Sequence, residues 1–127
     1  MVKIYALRER LAGRRQALSD AIQTVLVEVF GLPPDKRAHR FFPLEREDLV
    51  APPDRSDDYL LIELTIMSGR STETKKKLVR ALFERIASDV GITPHDVEIV
   101  ILESAPEHWG FRGLHGDEAQ LPYRVRV

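Results

Sequence analysis

Apolar positions in this chain follow two rhythms, one of two residues and one of three to four, and both rhythms occur twice in the same order. Val2–Leu7 and Leu60–Met67 read as extended segments. Side chains alternate across a strand, so Ile62, Leu64 and Ile66 face one way while Leu61, Thr65 and Met67 face the other. Apolar residues on both sides predict a strand covered on both faces. Leu18, Ala21, Ile22, Val25, Leu26, Val29 and Phe30 then form a continuous helical stripe at i, i+3, i+4, i+7 and onward. Leu78, Ala81, Leu82, Ile86 and Val90 repeat it, widened by Val79 and Phe83. Ser71 stands as the N-cap of the second helix, with Glu73 in the first turn to meet the positive end of its dipole. Gly31 and Gly91 occupy the left-handed positions after each helix, and the prolines just beyond stop further winding. A closing strand is clear at Val97–Leu102; its counterpart near Arg37–Phe42 is polar and weakly patterned.

The two halves align at an offset of about sixty residues, the mark of an internal repeat. Arg10 meets Arg70, Leu18 meets Leu78, Ala21 meets Ala81, Gly31 meets Gly91 and Pro34 meets Pro94. The expected organisation is a single domain: a first β-α-β unit over about 1–43, a proline-rich connector over about 43–58, a second unit over about 59–103, and a tail over 104–127. A β-α-β crossover is right-handed, so a duplicated pair places both helices on one face of a four-stranded sheet. The other face then needs a cover, which predicts a homo-oligomer packed sheet against sheet. The tail ends in Tyr123-Arg-Val-Arg-Val127, an alternation that suits an added edge strand in this chain or a neighbouring one.

Composition narrows the function classes. A formal net charge of −1 provides no bulk attraction to nucleic acid or to an anionic membrane surface. No cysteine is present, which removes disulfides, thiolate metal sites and a cysteine nucleophile. No apolar run approaches the ~18 residues of a membrane span, and Lys3, Arg8, Glu9 and Arg10 interrupt any signal-peptide core. A cytoplasmic protein is expected. His39, His95, His108 and His115 do not fall at metal-ligand spacing, so no metal is assigned.

Four stretches carry a resemblance: Gly69-Arg70-Ser71 between strand and helix, Gly31-Leu-Pro-Pro34, Arg55-Ser-Asp-Asp58 before the second long strand, and Glu107-His-Trp109-Gly-Phe111 in the tail. Together they resemble the tautomerase superfamily, within it the group similar to malonate semialdehyde decarboxylase, over nearly the whole chain. The resemblance implies an α/β fold of fused β-α-β units, like that of macrophage migration inhibitory factor, assembled as a homotrimer. It also implies chemistry on small carbonyl or unsaturated carboxylic acids without metal or organic cofactor. The family's key group is an N-terminal proline, whose secondary amine acts as general base or acid.

This chain departs there, beginning Met1-Val2-Lys3 with no proline in either register. The candidate that remains is the primary α-amine of Met1, able to act as a base or to form a Schiff base with a carbonyl. Arg70 matches the arginine that holds a substrate carboxylate, a task suited to a planar bidentate donor, and Arg10 is its repeat mate. A second arginine of the decarboxylase pattern is replaced by Ser68. The family's water-activating aspartate falls at Lys36, with Asp35 before it and Arg37 after, and a lysine there would bind an anion. Trp109 and Phe111 match the aromatic pocket wall. Three readings stay open: a weak tautomerase or decarboxylase-like enzyme acting on a small anionic carbonyl compound, a non-catalytic ligand- or partner-binding member, and an unrelated ferredoxin-like regulatory domain with the same element order.

Overall fold

The computed structural model describes residues 1–127. Strand β1 (Val2–Leu7) is followed by a single helical turn, α1 (Arg8–Leu11), and by helix α2 (Arg15–Phe30), strand β2 (His39–Leu44) and strand β3 (Leu60–Met67). Helix α3 (Thr72–Val90), strand β4 (Val97–Ser104) and a small hairpin, β5 (Gly110–Phe111) and β6 (Leu114–His115), complete the chain. The main sheet has the order β2-β1-β3-β4. Its outer pairs are parallel and its central pair, β1 with β3, is antiparallel. Both rhythms of the sequence are therefore realised as two β-α-β crossovers meeting at the sheet centre. No helix is long and apolar enough to cross a membrane.

Alternation decides which face each strand buries. Val2, Ile4, Leu60, Ile62 and Leu64 point under the helices, where they meet Leu18, Ile22 and Val25 of α2 and Leu78, Leu82 and Ile86 of α3, all buried. Each such side chain contributes about 1.5–3 kcal/mol by leaving water. The opposite face is open. It carries Tyr5 stacked on Phe42 at 4.7 Å, together with exposed Val100 and Leu102. Lys3, Arg40, Glu63 and Glu98 are interspersed among them, so this face is mixed, not uniformly apolar as the β3 pattern suggests.

Two local expectations change, and a difference between the two halves is realised. The closing strand of the first half runs His39–Leu44, two residues later than its polar sequence suggests, and includes Pro43. β2 is an edge strand, the position where a strand proline is tolerated. The tail end, 123–127, forms no strand. It crosses the β3–α3 junction instead, with the Ser71 amide donating to the Val127 carbonyl at 2.9 Å. That crossing explains Gly69, whose φ of 138° suits glycine and whose missing Cβ would lie 3.1 Å from the Val125 side chain. Finally, the two strand–helix junctions differ. Ser71 caps α3 by accepting the Thr74 amide at 3.1 Å, whereas α2 follows the extra turn α1 and has no side-chain cap.

Candidate functional site

The central antiparallel pairing determines what meets what. Because β1 and β3 run oppositely, Val2 lies across from Leu64, and the start of β1 meets the end of β3. β2 runs parallel to β1 and β4 parallel to β3, so the loop before β2 and the segment after β4 reach this same end. A cavity of about 510 Å³ opens there. Met1, Lys36, Arg70, Trp109, Phe111 and Tyr123 all line it. Arg10 belongs to the opposite end of β1, where its guanidinium pairs with Asp58 at 2.7 Å. Arg37 is also outside the cavity, tied to Asp20 at 2.5 Å and to Ser19 Oγ at 3.2 Å. Of the residues proposed from sequence, the fold thus assembles Met1, Lys36, Arg70, Trp109 and Phe111, and leaves Arg10 and Arg37 elsewhere.

Arg70 is the chemical centre of this arrangement. Only 7% exposed, it stacks over the Phe30 ring at 4.0 Å and donates from Nη1 to the Met67 carbonyl at 3.3 Å. No carboxylate pairs with it, and its buried Nε has no hydrogen-bond partner. Burial lowers the pKa of the guanidinium below its ordinary value, partly offset by Tyr123 and Glu103 nearby. Glu103 is itself paired with Lys75. A buried cation without a counter-ion is costly, and Arg70 lines the cavity, from which an anion can reach it.

The Met1 amine donates to the Thr65 carbonyl at 2.9 Å, and the Thr65 amide returns a bond of the same length to the Met1 carbonyl. This pair continues the β1–β3 ladder by one residue and fixes the amine at the cavity wall. Burial depresses its pKa from 8.0, reinforced by the positive charges of Arg40, Lys36 and Arg70. The Arg40 guanidinium lies 3.6 Å from the Met1 sulfur. Lys36 sits at the mouth, its Nζ 4.9 Å from the Tyr123 ring centroid and 5.8 Å from that of Phe111. Its backbone is held by buried Gln23, whose amide donates to the Lys36 carbonyl at 3.0 Å. Trp109 is oriented by Nε1–H donating to the Ser104 carbonyl at 3.3 Å.

The lining contains no aspartate or glutamate. It is an apolar chamber with cations at its wall and mouth, suited to a small anion whose reactive carbon would sit near the Met1 amine. No group of three or more acidic or histidine side chains is placed to hold a metal ion. Sequence reasoning overlooked Tyr123, Phe30, Thr65 and Arg40. Phe30 read simply as the end of a helical stripe, and Tyr123 as the start of a strand.

Next to the cavity, His39 is held neutral. Its Nδ1 lies 2.7 Å from Ser19 Oγ, and its Nε2 is buried without a partner. Burial first, then Arg37 and the Met1 amine, lower its pKa from 6.5 to about 4, against a small opposing effect of Asp20. The unfolded chain therefore binds the extra proton first, and stability falls as pH drops from about 6.5 toward 4. Urea unfolding at pH 7 and pH 4.5 should show a loss on the order of 1–2 kcal/mol, discounted for partial exposure, that is absent in His39→Gln. The carboxylates with lowered pKa values, Asp20, Asp57 and Asp96, act below this window.

The fold, a strand–helix–strand unit used twice, now meets the comparisons with known proteins. The family model described as "Tautomerase enzyme" matches residues 36–112, and the chain belongs to this family. It is 30% identical over 101 residues to the probable tautomerase YusQ of Bacillus subtilis (strain 168), covering 76% of this chain and 80% of that protein. It also resembles the crystal structure of FG41 malonate semialdehyde decarboxylase inhibited by 3-bromopropiolate, at 30% identity, covering 87% of this chain and 88% of that one, with a TM-score of 0.79. The fold alone is shared with the symmetric trimer of the Q0 fused 4-OT wild-type protein, at 19% identity over 91% of this chain and 95% of that one, TM-score 0.79.

Proposed function

We propose that the protein binds a small carboxylate bearing a carbonyl or enol group, and catalyses at most a slow, cofactor-independent proton transfer on it through the Met1 amine. The observation that carries this reading is Arg70: buried, without a carboxylate partner, and facing the cavity that also holds the amine. The substrate carboxylate docks on the guanidinium. The aromatic wall then excludes water, and the amine, weakly basic because it is buried among cations, takes a proton from the adjacent carbon. A primary amine is also able to condense with the carbonyl, so a Schiff base on Met1 is an accessible side reaction.

Two alternatives keep the same chamber. A non-catalytic ligand-binding role is favoured by the start Met1-Val2-Lys3, which offers no proline in either register. A decarboxylase-type lyase acting on a small 3-oxo acid draws on the malonate semialdehyde decarboxylase relative, but Lys36 at the water-activating position weighs against hydration chemistry. The assembly proposed is a homotrimer closing over the open sheet face, where Val100 and Leu102 are exposed.

The test is a panel of 2-oxo acids, enol carboxylates and malonate semialdehyde. Ketonisation about 100-fold above buffer, the low end for a positioned acid or base, is the expected result. Binding without any turnover would move the protein to the ligand-binding reading, and neither binding nor turnover would end both. Borohydride added with a 2-oxo acid, followed by intact-mass and peptide analysis, reports whether the adduct lies on Met1.

A further inference from the structure

Removing a proton from the carbon next to a carbonyl leaves negative charge on the carbonyl oxygen, and an enzyme of this kind gains most from a donor aimed at that oxygen. The chamber has few candidates. Trp109 Nε1–H is already engaged by the Ser104 carbonyl. Arg70 is committed, in the reading above, to the carboxylate. Lys36, Thr65, Ser104 and His108 also line the chamber, but Tyr123 brings a phenol, a strong neutral O–H donor, whose hydroxyl makes no hydrogen bond with any other group of the protein. Lys36 Nζ, 4.9 Å from the ring centroid, holds the ring in place. The phenol is also near enough to Arg70 to act on its charge. Tyr123 thus shares the cavity lining with Lys36 and Arg70, its O–H uncommitted, in a chamber whose lining offers no carboxylate to compete for it.

We infer that Tyr123 is a catalytic residue of this site, its hydroxyl donating a hydrogen bond to the substrate carbonyl oxygen as the enolate forms. The inference rests on the proposed proton transfer at Met1. In that step the C–H bond breaks, its proton passes to the Met1 nitrogen, and the electron pair moves into a new carbon–carbon double bond, leaving the charge on oxygen. The Tyr123 O–H shortens its bond to that oxygen without giving up its proton. Return of a proton from the ammonium to the carbon regenerates the keto acid; alternatively the oxygen takes a proton from solvent, the ammonium gives its own proton back to solvent, and the enol is released. The tail after β6 then has a chemical role.

Tyr123→Phe keeps the ring for Lys36 and removes only the hydroxyl, so folding should be unaffected. Exchange of the C3 hydrogens of 2-oxobutanoate for deuterium, followed by NMR, reads the proton transfer, and titration with unreactive butanoate reads binding. The expected result is an exchange rate down about 100-fold, as for loss of one oxyanion donor, with butanoate affinity within about twofold of wild type. A Phe variant that exchanges at the wild-type rate, with wild type clearly active, overturns the role of Tyr123 and leaves the proposed function standing. Wild-type protein that binds butanoate but exchanges nothing overturns both the proton transfer and this inference. A variant that loses butanoate affinity in parallel with exchange assigns Tyr123 to wall packing and also overturns it.

Discussion

Arg70→Met should abolish ligand binding without destabilising the protein. The guanidinium stacks on Phe30, receives help from one backbone carbonyl, and has no carboxylate partner. In the free protein it is therefore a desolvated charge only partly compensated, and replacing such a group by an apolar one of similar length is often neutral or stabilising. With ligand present the balance inverts, because two charge-assisted hydrogen bonds form where water is excluded. Their loss should cost about 2–4 kcal/mol, a 30- to 1000-fold weaker Kd for a probe such as pyruvate in titration calorimetry. The Tm of the free variant should be unchanged or about 3–5 °C higher by scanning calorimetry. Affinity retained with a lowered Tm would show that Arg70 serves the fold and not a ligand. A site residue whose removal helps stability is the signature of a position kept for function.

How far the chain could be read in advance follows from what each residue depends on. β3 and the two helices were legible because their periodicities are local and strong, and Ser71 and Gly91 mark the ends of α3 by chemistry that needs no distant partner. Arg70 was legible only through the resemblance carried by Gly69-Arg70-Ser71, not through any periodicity. Its repeat mate Arg10 was not, since the repeat relation says nothing of sheet order. Only the antiparallel β1–β3 pairing reveals that equivalent positions lie at opposite ends of the sheet, one beside an amine and the other beside Asp58. Arg37 was misplaced by adjacency: it is next to Lys36 in sequence, yet its side chain goes to Asp20 and Ser19 of α2 while that of Lys36 goes to the tail aromatics. Tyr123 shows the limit most clearly. Alternating Tyr-Arg-Val-Arg-Val is a strand pattern in isolation, and the competing interactions, Val127 with Ser71 and Val125 against Gly69, join residues more than fifty positions apart.

Gly116→Ala should detach the aromatic wall from an otherwise intact core. Gly116 follows β6, is buried, and donates its amide to the Trp109 carbonyl at 2.8 Å, closing the hairpin back on its own start. A Cβ at this position would be pressed against the Pro106 carbonyl oxygen, 2.9 Å from the Trp109 Cβ and 3.0 Å from the Met67 Cε. Met67 has a flexible side chain and can yield, but the Pro106 oxygen is backbone, so relief requires the 106–116 segment to move as a unit. Overpacking of this kind costs about 1–3 kcal/mol. Little of the core depends on that segment, because the buried cluster is built from β1, β3, α2 and α3 with Leu11, Ile92 and Val97, and takes no residue beyond Val97. The strain is therefore released locally, by lifting the hairpin and carrying Trp109 and Phe111 off the cavity. Carboxylate affinity should fall tenfold or more as water enters and weakens the field around Arg70. Limited proteolysis should cut after Glu103 in the variant and spare the wild type, with urea unfolding of the core shifted by no more than about 1 kcal/mol. A global loss of stability with the tail still protected would mean that Gly116 is a core position. Retained affinity would mean that the aromatic wall contributes nothing to the chamber, and the reading of Trp109 and Phe111 as its lining would fall with it.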